Sequence, residues 1–369
     1  MKKLEISKKD LKYNISILKK VINEHGKDDS GKKTDIIAVV KANGMGLGLV
    51  QISKFLVENG IRYLAVATVE EVVELRNAGI QTEIIMLTPT GIENEIKTLI
   101  ENKAILSIGS LEELEKIEAI LEKKELEINA HIKIDTGLAR FGFLYDNDEI
   151  IDCFEKAKRV NITGAFTHFS KPLDAKWTRI QFNRFLDAVA GIKSAGYDPG
   201  MLHVASTTAF LKYKDMYLNA VRVGSFVQGR VLEKSLGLKE IGVFKTNVAE
   251  IKTVPKGYTI SYGNEYKTKK ETKIAIIPVG YIDGLCKKKV RDVFSFKENI
   301  LSVLIEIKKI FKDNTIKFKI GQEEYKVIGR IGMYHSVIDI TGSDIKVGDQ
   351  VIIKIPPLEV NDNIKREYN

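Results

Sequence analysis

Short apolar runs of strand length recur through the first two thirds of this chain, at 36–40, 63–67, 83–87, 105–108, 128–135, 162–169, 201–205 and 220–223, with helical patterns between most of them. Runs this apolar and this rich in β-branched residues suit strands buried on both faces, as in a parallel sheet. The helix punctuation agrees: 69–78 stops at Gly79, Ser110 stands before 111–123, and 178–194 stops before Gly196. Similar strand–helix units without a long interruption predict an α/β fold, a closed (β/α)8 barrel of the TIM type, over residues 1–236. An open doubly wound sheet is the competing arrangement. Near Gly237 the rhythm changes. Strands are expected at 241–254, 259–262, 273–279, 315–320, 325–327, 336–340 and 350–355, with turn signals between them and one helix at 298–311. Residues 237–369 therefore read as a separate, mostly β domain.

Composition removes several function classes. The 369 residues carry 58 basic and 49 acidic side chains, a net +9. Lysine is spread along the chain, with small clusters at Lys269-Lys270 and Lys287-Lys288-Lys289. Nucleic-acid binding would need basic stripes interleaved with aromatics, which are missing, so no nucleic-acid partner is expected. No apolar stretch is long enough to span a membrane, and the start lacks the apolar core of a signal peptide, so a cytoplasmic protein is expected. Cys153 and Cys286 form no metal-ligand spacing, and no metal is expected.

The run at 36–40 ends on Lys41, and Gly44, Gly46 and Gly48 follow at alternate positions. The glycines make neither a Walker loop nor the dinucleotide G-x-G-x-x-G. Their density leaves the backbone free to approach a ligand. Barrels keep their chemistry at the C-terminal ends of their strands. A lysine emerging there from an apolar wall can be desolvated and become a Schiff-base nucleophile or a proton-transfer base; a lysine that merely ends a strand and points to water is the plainer reading. Other polar residues fall on the same rim: Asp135-Thr136-Gly137 with Arg140, Thr167-His168, Ser206-Thr207-Thr208, and Arg222-Val223-Gly224-Ser225. Backbone N–H groups at Gly224 and Ser225 with the hydroxyls of Ser206 and Thr207 can form a phosphate cup.

Taken in order, Lys41-Ala42-Asn43, His131-Ile132-Lys133-Ile134-Asp135-Thr136-Gly137-Leu138-Ala139-Arg140, Thr167-His168-Phe169, His203-Val204-Ala205 and Arg222-Val223-Gly224 resemble the alanine racemase family. So do Ile260-Ser261-Tyr262-Gly263, Pro278-Val279-Gly280-Tyr281-Ile282-Asp283-Gly284 and Gly329-Arg330-Ile331-Gly332-Met333. The resemblance covers nearly the whole chain. It implies an amino-acid racemase with a pyridoxal 5'-phosphate barrel, a C-terminal β domain and a head-to-tail homodimer with shared active sites. Lys41 would hold the cofactor covalently and act as one catalytic base. Tyr262 of the partner subunit would be the other, across the substrate α-carbon. Two acid/base groups on opposite faces racemise without moving the substrate. Arg222 would face the cofactor's ring nitrogen and leave it unprotonated, because an arginine does not readily give up its proton. His168 would support Arg222. Arg140 would meet the phenolic oxygen and the substrate carboxylate, and Lys133 matches a lysine carbamylated in many members. Tyr281 and the Met333 backbone would bind the substrate carboxylate.

Several positions depart from the family pattern. Met45 stands where a tyrosine touches the phosphate, Leu47 where histidine is usual, Ser206-Thr207 for Asn-Ser, Gly332-Met333-Tyr334 for Cys-Met-Asp, and Asp362 for a gate tyrosine. Alanine is the default substrate. A carboxylate at the gate also fits a larger or cationic amino acid such as serine, lysine or ornithine. A non-catalytic cofactor carrier and a decarboxylase on the same plan are the readings from other classes. Carriers are usually single barrels, and such decarboxylases use a C-terminal-domain cysteine unlike Cys286.

Overall fold

The computed structural model describes residues 2–26, 31, 33–286, 296–310 and 315–369. The Lys287-Lys288-Lys289 cluster and the expected helix end at Phe311 lie outside the described residues. The chain forms two compact units: Ser7–Ile241, and Met1–Ile6 together with Gly242–Asn369. Strand β1 (Lys3–Ile6), which the sequence reading gave to the barrel, is part of the second unit.

Ser7–Ile241 is the barrel. Its strands are β2 (Asp35–Val39), β3 (Tyr63–Val66), β4 (Glu83–Met86), β5 (Leu106–Ile108), β6 (Ile128–Asp135) with a short side strand β7 (Phe143–Leu144), β8 (Val160–Phe166), β9 (Met201–His203) and β10 (Ala220–Val223). They pair in parallel as β10-β2-β3-β4 and β5-β6-β8-β9. Single bridges, Ile85 to Ile105 and Ser206 to Arg222, join the two arcs into a ring. Side chains from alternate positions fill it: Ile37, Ala65, Ile85, Ile105 and Ala220 form one buried cluster.

The helices cover the ring because their apolar faces have nowhere else to go. Lys8–His25 starts at Ser7, whose hydroxyl accepts from Asp10 N, and buries Leu11, Ile15, Leu18 and Ile22. Each such side chain contributes about 1.5–3 kcal/mol on burial. Val69–Asn77 begins with a capping box between Thr68 and Glu71, and Leu111–Lys124 with Ser110 accepting from Glu113 N. Between β6 and β8 the register slips: Ala130 faces Ile162, but His131 faces Gly164. A Cβ at Gly164 would lie 2.6 Å from the His131 ring, so the glycine and the bulge together admit the imidazole.

The turn after β2 differs from the sequence reading. Ala42, Asn43, Gly44, Met45 and Gly46 all have positive φ, 54°, 53°, 64°, 55° and 85°, and form a left-handed turn. Non-glycine residues there cost about 1–2 kcal/mol each. Local bonds hold it: Ala42 N donates to Glu71 Oε1 at 2.5 Å, Leu49 N to Asn43 Oδ1 at 2.9 Å, and Gln228 Nε2 to Met45 O at 2.6 Å. A Cβ on Gly44 would fall 2.5 Å from Ile52 Cγ2. Gly44 thus shapes the turn and its packing on helix Leu49–Glu58.

In the second unit the expected strand at 241–254 is two, β11 (Val243–Asn247) and β12 (Glu250–Val254); then come β13 (Thr259–Ile260), β14 (Tyr266–Lys267), β15 (Thr272–Ile277), β16 (Lys317–Ile320), β17 (Glu323–Ile328), β18 (Ser336–Asp339), β19 (Gln350–Ile353) and β20 (Lys365–Tyr368). The main sheet runs β12-β15-β18-β17-β16-β19-β11-β1-β20. β11 and β12 are joined by two residues yet sit far apart in that order. Val248 N donates to Asp349 O and Ala249 N to Ile276 O, so the chain crosses from one partner strand to another and the sheet curls on itself. Helix Phe296–Ile310 is the long helix of this unit among the described residues.

Candidate active site

The C-terminal ends of the barrel strands enclose a cavity of about 320 Å³. Lys41 enters from the end of β2, Lys133 from β6, Arg140 from the loop beyond it, His168 from beyond β8, Ser206 and Thr207 from beyond β9, and Arg222, Gly224 and Ser225 from β10 and its end. Of the barrel residues singled out from the sequence, these and Thr208 meet in one place; Asp135, Thr136, Gly137 and Thr167 do not line the cavity, Asp135 accepting from Gly137 N and Leu138 N at 2.8 Å and Thr136 pairing with Thr167 at 2.9 Å. Met45, Leu87, Thr88, Phe141 and Phe166 complete much of the wall. Among the described residues the cavity is lined by four basic side chains, Lys41, Lys133, Arg140 and Arg222, and by no carboxylate.

Arg222 forms the buried floor, 4% exposed. Its guanidinium is solvated by neutral groups. Nη1 donates to His203 Nδ1 at 2.9 Å and to the His203 carbonyl, and Nη2 to the carbonyls of Thr167 at 2.6 Å and Val204 at 3.2 Å. Nη2 also faces His168 Nδ1 at 3.4 Å. Burial, and then Arg140, push Arg222 down to about 9, still a cation at neutral pH. Because an arginine only donates, His203 Nδ1 must accept. The His203 proton therefore sits on Nε2, which donates to His131 Nδ1 at 2.9 Å. Burial and then Arg222 hold His131 down to about 4 and His203 well below its ordinary value. His168 is held down to about 3 by burial, then Arg222 and Arg140. All three rings stay neutral around a charged guanidinium.

Lys133 is an inward residue of β6, 5% exposed, and donates to Leu87 O at 2.8 Å. Burial and then Arg140 and Arg222 bring its ammonium down to about 8. At another part of the wall Gly224 N donates to Thr207 Oγ1 at 3.2 Å, beside the hydroxyls of Ser206 and Ser225. A lysine amine, a buried arginine, a hydroxyl-and-amide cup and a lining of basic side chains fit a phosphorylated aldehyde and a carboxylate-bearing substrate.

The other residues expected to take part lie in the second unit. Tyr262 opens a 3-10 turn and is 71% exposed. Its ring edge passes 3.7 Å from where a Cβ of Gly332 would be. Tyr281 N donates to Gly332 O at 3.1 Å and Ile282 N to Met333 O at 3.3 Å, so the turns carrying Tyr281 and Met333 are stitched together. Tyr281, Met333 and Tyr334 are about half exposed, at 50%, 47% and 50%. Asp362 lies in the turn before β20, with a carboxylate oxygen 3.5 Å from Arg366.

The sequence reading gave no role to His131 or His203. A signal for the first was present: His131, Lys133 and Asp135 alternate along one strand and so share a face.

Residues 6–230 match the family described as alanine racemase, N-terminal domain, and residues 241–365 match alanine racemase, C-terminal domain. The chain belongs to the alanine racemase family. It is 33% identical to an alanine racemase of Clostridium tetani over 362 residues, which is 95% of this chain and 84% of that one. An alanine racemase of Methanococcus maripaludis is 32% identical over 359 residues, 95% of this chain and 87% of that one. The structure of alanine racemase from Clostridium difficile 630 superposes with a TM-score of 0.82 at 28% identity, covering 99% of this chain and 88% of that one, and a structure of it in complex with cycloserine gives 0.79 at 27%. The family's enzymes are pyridoxal-phosphate-dependent isomerases, and alanine racemase is the function these relatives support. No helix among the described residues is long and apolar enough to cross a membrane.

Proposed function

We propose that this chain interconverts L- and D-alanine with Lys41 and Tyr262 as its two bases, in a homodimer whose sites each take Tyr262 from a second copy. The observation that carries the reading is the cavity: the Lys41 amine beside a buried arginine held by neutral partners and a hydroxyl cup. Pyridoxal phosphate, when bound, supplies the electron-withdrawing system that makes an amino-acid α-hydrogen removable. Lys41 would hold it, Ser206, Thr207, Gly224 and Ser225 would hold its phosphate, and Arg222 would meet its ring nitrogen as a permanent donor. Arg140, Tyr281 and the Met333 backbone would orient the substrate carboxylate.

The proton work then falls to two groups. Lys41 takes or returns the proton on one face of the α-carbon. Tyr262 of the partner subunit does so on the other. Its 71% exposure in a single chain fits a residue whose place of work is another copy.

Incubation with L-alanine, followed by chiral chromatography, is expected to give equal amounts of the two forms. The wild-type protein should show a visible absorbance band that borohydride bleaches, and Lys41→Ala should show none. Tyr262→Phe is expected to lower turnover by about 10²–10⁴-fold, the usual worth of a general acid–base. Cycloserine, which the Clostridium difficile relative binds, should inhibit. Serine, lysine and ornithine tested beside alanine decide the gate. If alanine alone turns over, Asp362 has not widened it.

A further inference from the structure

The substrate-carboxylate side of the site depends on two turns in the second unit, and one side chain outside both touches each of them. Lys2 Nζ donates to Asp283 Oδ1 and Oδ2, both at 2.8 Å. Asp283 Oδ2 also accepts from Gly280 N at 2.9 Å, which closes the tight turn Tyr281–Asp283. The same ammonium lies 5.5 Å from the centroid of the Tyr334 ring, next to Met333. The Asp283 side chain is 5% exposed and the Lys2 side chain 23%. A carboxylate this buried needs its counter-charge, and removing one partner of such a pair costs far more than an exposed pair is worth.

The turn has no room to relax in place. A Cβ on Gly280 would fall 2.2 Å from Met333 O and 2.3 Å from Gly332 O, so the backbones of the two turns are in direct contact. A shift of Asp283 is therefore passed to Gly280, and from there to Met333. Lys2 stands immediately before β1, which is clamped between β11 and β20. Its backbone is anchored while its side chain reaches the turns.

We infer that Lys2 is a positioning residue for substrate binding: its ammonium pins Asp283, and through Asp283 it fixes the Tyr281 and Met333 turns that receive the amino-acid carboxylate. This rests on the carboxylate-binding role proposed for Tyr281 and Met333. Lys2 is too far along the chain of contacts to be a catalytic residue.

The test uses the holoenzyme and four chains: Lys2→Met, Lys2→Arg, Asp283→Asn, and Lys2→Met with Asp283→Asn. Two quantities are read, hydrogen exchange at the amides of residues 280–283 and the kinetic constants for alanine. The pin predicts faster exchange in Lys2→Met and a KM raised on the order of tenfold with kcat little changed. Lys2→Arg should sit near wild type, since the charge and the donors remain. Lys2→Met should add little once Asp283→Asn has already removed the carboxylate. Unchanged exchange in Lys2→Met, or full additivity of the two substitutions, overturns the pin. Faster exchange with an unchanged KM keeps the pin and overturns the carboxylate-binding role on which its effect depends.

Discussion

Arg222 decides the electrostatics of the cavity because no carboxylate among the described residues lines it. Its partners are backbone carbonyls and neutral imidazoles, so its charge is felt by whatever enters. His203 is the partner with the strictest requirement, since its Nδ1 has to accept and its Nε2 has to donate. Replacing it with Phe leaves a buried arginine N–H without its acceptor. That should destabilise the protein by about 1–3 kcal/mol, read from urea unfolding. The histidines also set a pH dependence. An ordinary histidine titrates near 6.5. His131 and His168 sit at about 4 and 3 in the folded chain, mainly through burial. Between those values and about 6.5 the unfolded chain binds more protons than the folded one, so stability falls as the pH is lowered through that window. The urea midpoint should drop from pH 7 to pH 5, and His131→Gln, which cannot titrate, should flatten the slope. At this scale the sequence was legible where a residue stood in a known order along the strand ends, as Lys41, Arg222 and His168 do. The roles of His131 and His203 were not, because they arise from a pairing across β6, β8 and β9 and from a register slip at Gly164 that no local pattern encodes.

Elements were the most readable level. Each of the eight expected barrel strands appears within a few residues of its place, because an apolar run bounded by caps leaves few alternatives, whereas the two-residue side strand β7 carried no such run. The strand ends were less readable. The run expected to 169 ends at Phe166, since Thr167 and His168 turn out of the ladder toward Arg222 and the cavity. The turn after β2 was legible only in part, for a related reason. Three glycines signal positive φ, but Ala42, Asn43 and Met45 adopt it too, held by Glu71 and Gln228 from elsewhere in the barrel. Strain of this kind gathers at functional sites and is offset by the surrounding structure. Gly44→Ala combines a strained φ of 64° with a contact at 2.5 Å, so it should cost at least about 1–3 kcal/mol. It should also lower activity by displacing Lys41. Thermal unfolding of the variant beside wild type measures the first effect, and the alanine assay the second.

For the whole molecule, four cations around one cavity are a cost that a bound anion removes. Lys133 at about 8 records part of that cost, since burial and the neighbouring arginines disfavour its charge. Phosphate alone should therefore raise the thermal midpoint, pyridoxal phosphate more, and neither should act on a chain with Arg222→Leu as strongly as on wild type. The second unit ends its own work on an exposed set of Tyr262, Tyr281, Met333 and Tyr334, which a single chain leaves open to solvent. Sequence order could name these residues; it could not supply the copy that would complete them. The decisive measurement mixes two inactive chains, Lys41→Ala and Tyr262→Phe, under conditions that let subunits exchange, and assays alanine racemisation. If each site draws Lys41 from one chain and Tyr262 from the other, mixed dimers hold one intact site, and about a quarter of wild-type activity should return. A mixture that forms mixed dimers yet stays as inactive as its components would contradict the shared two-base site.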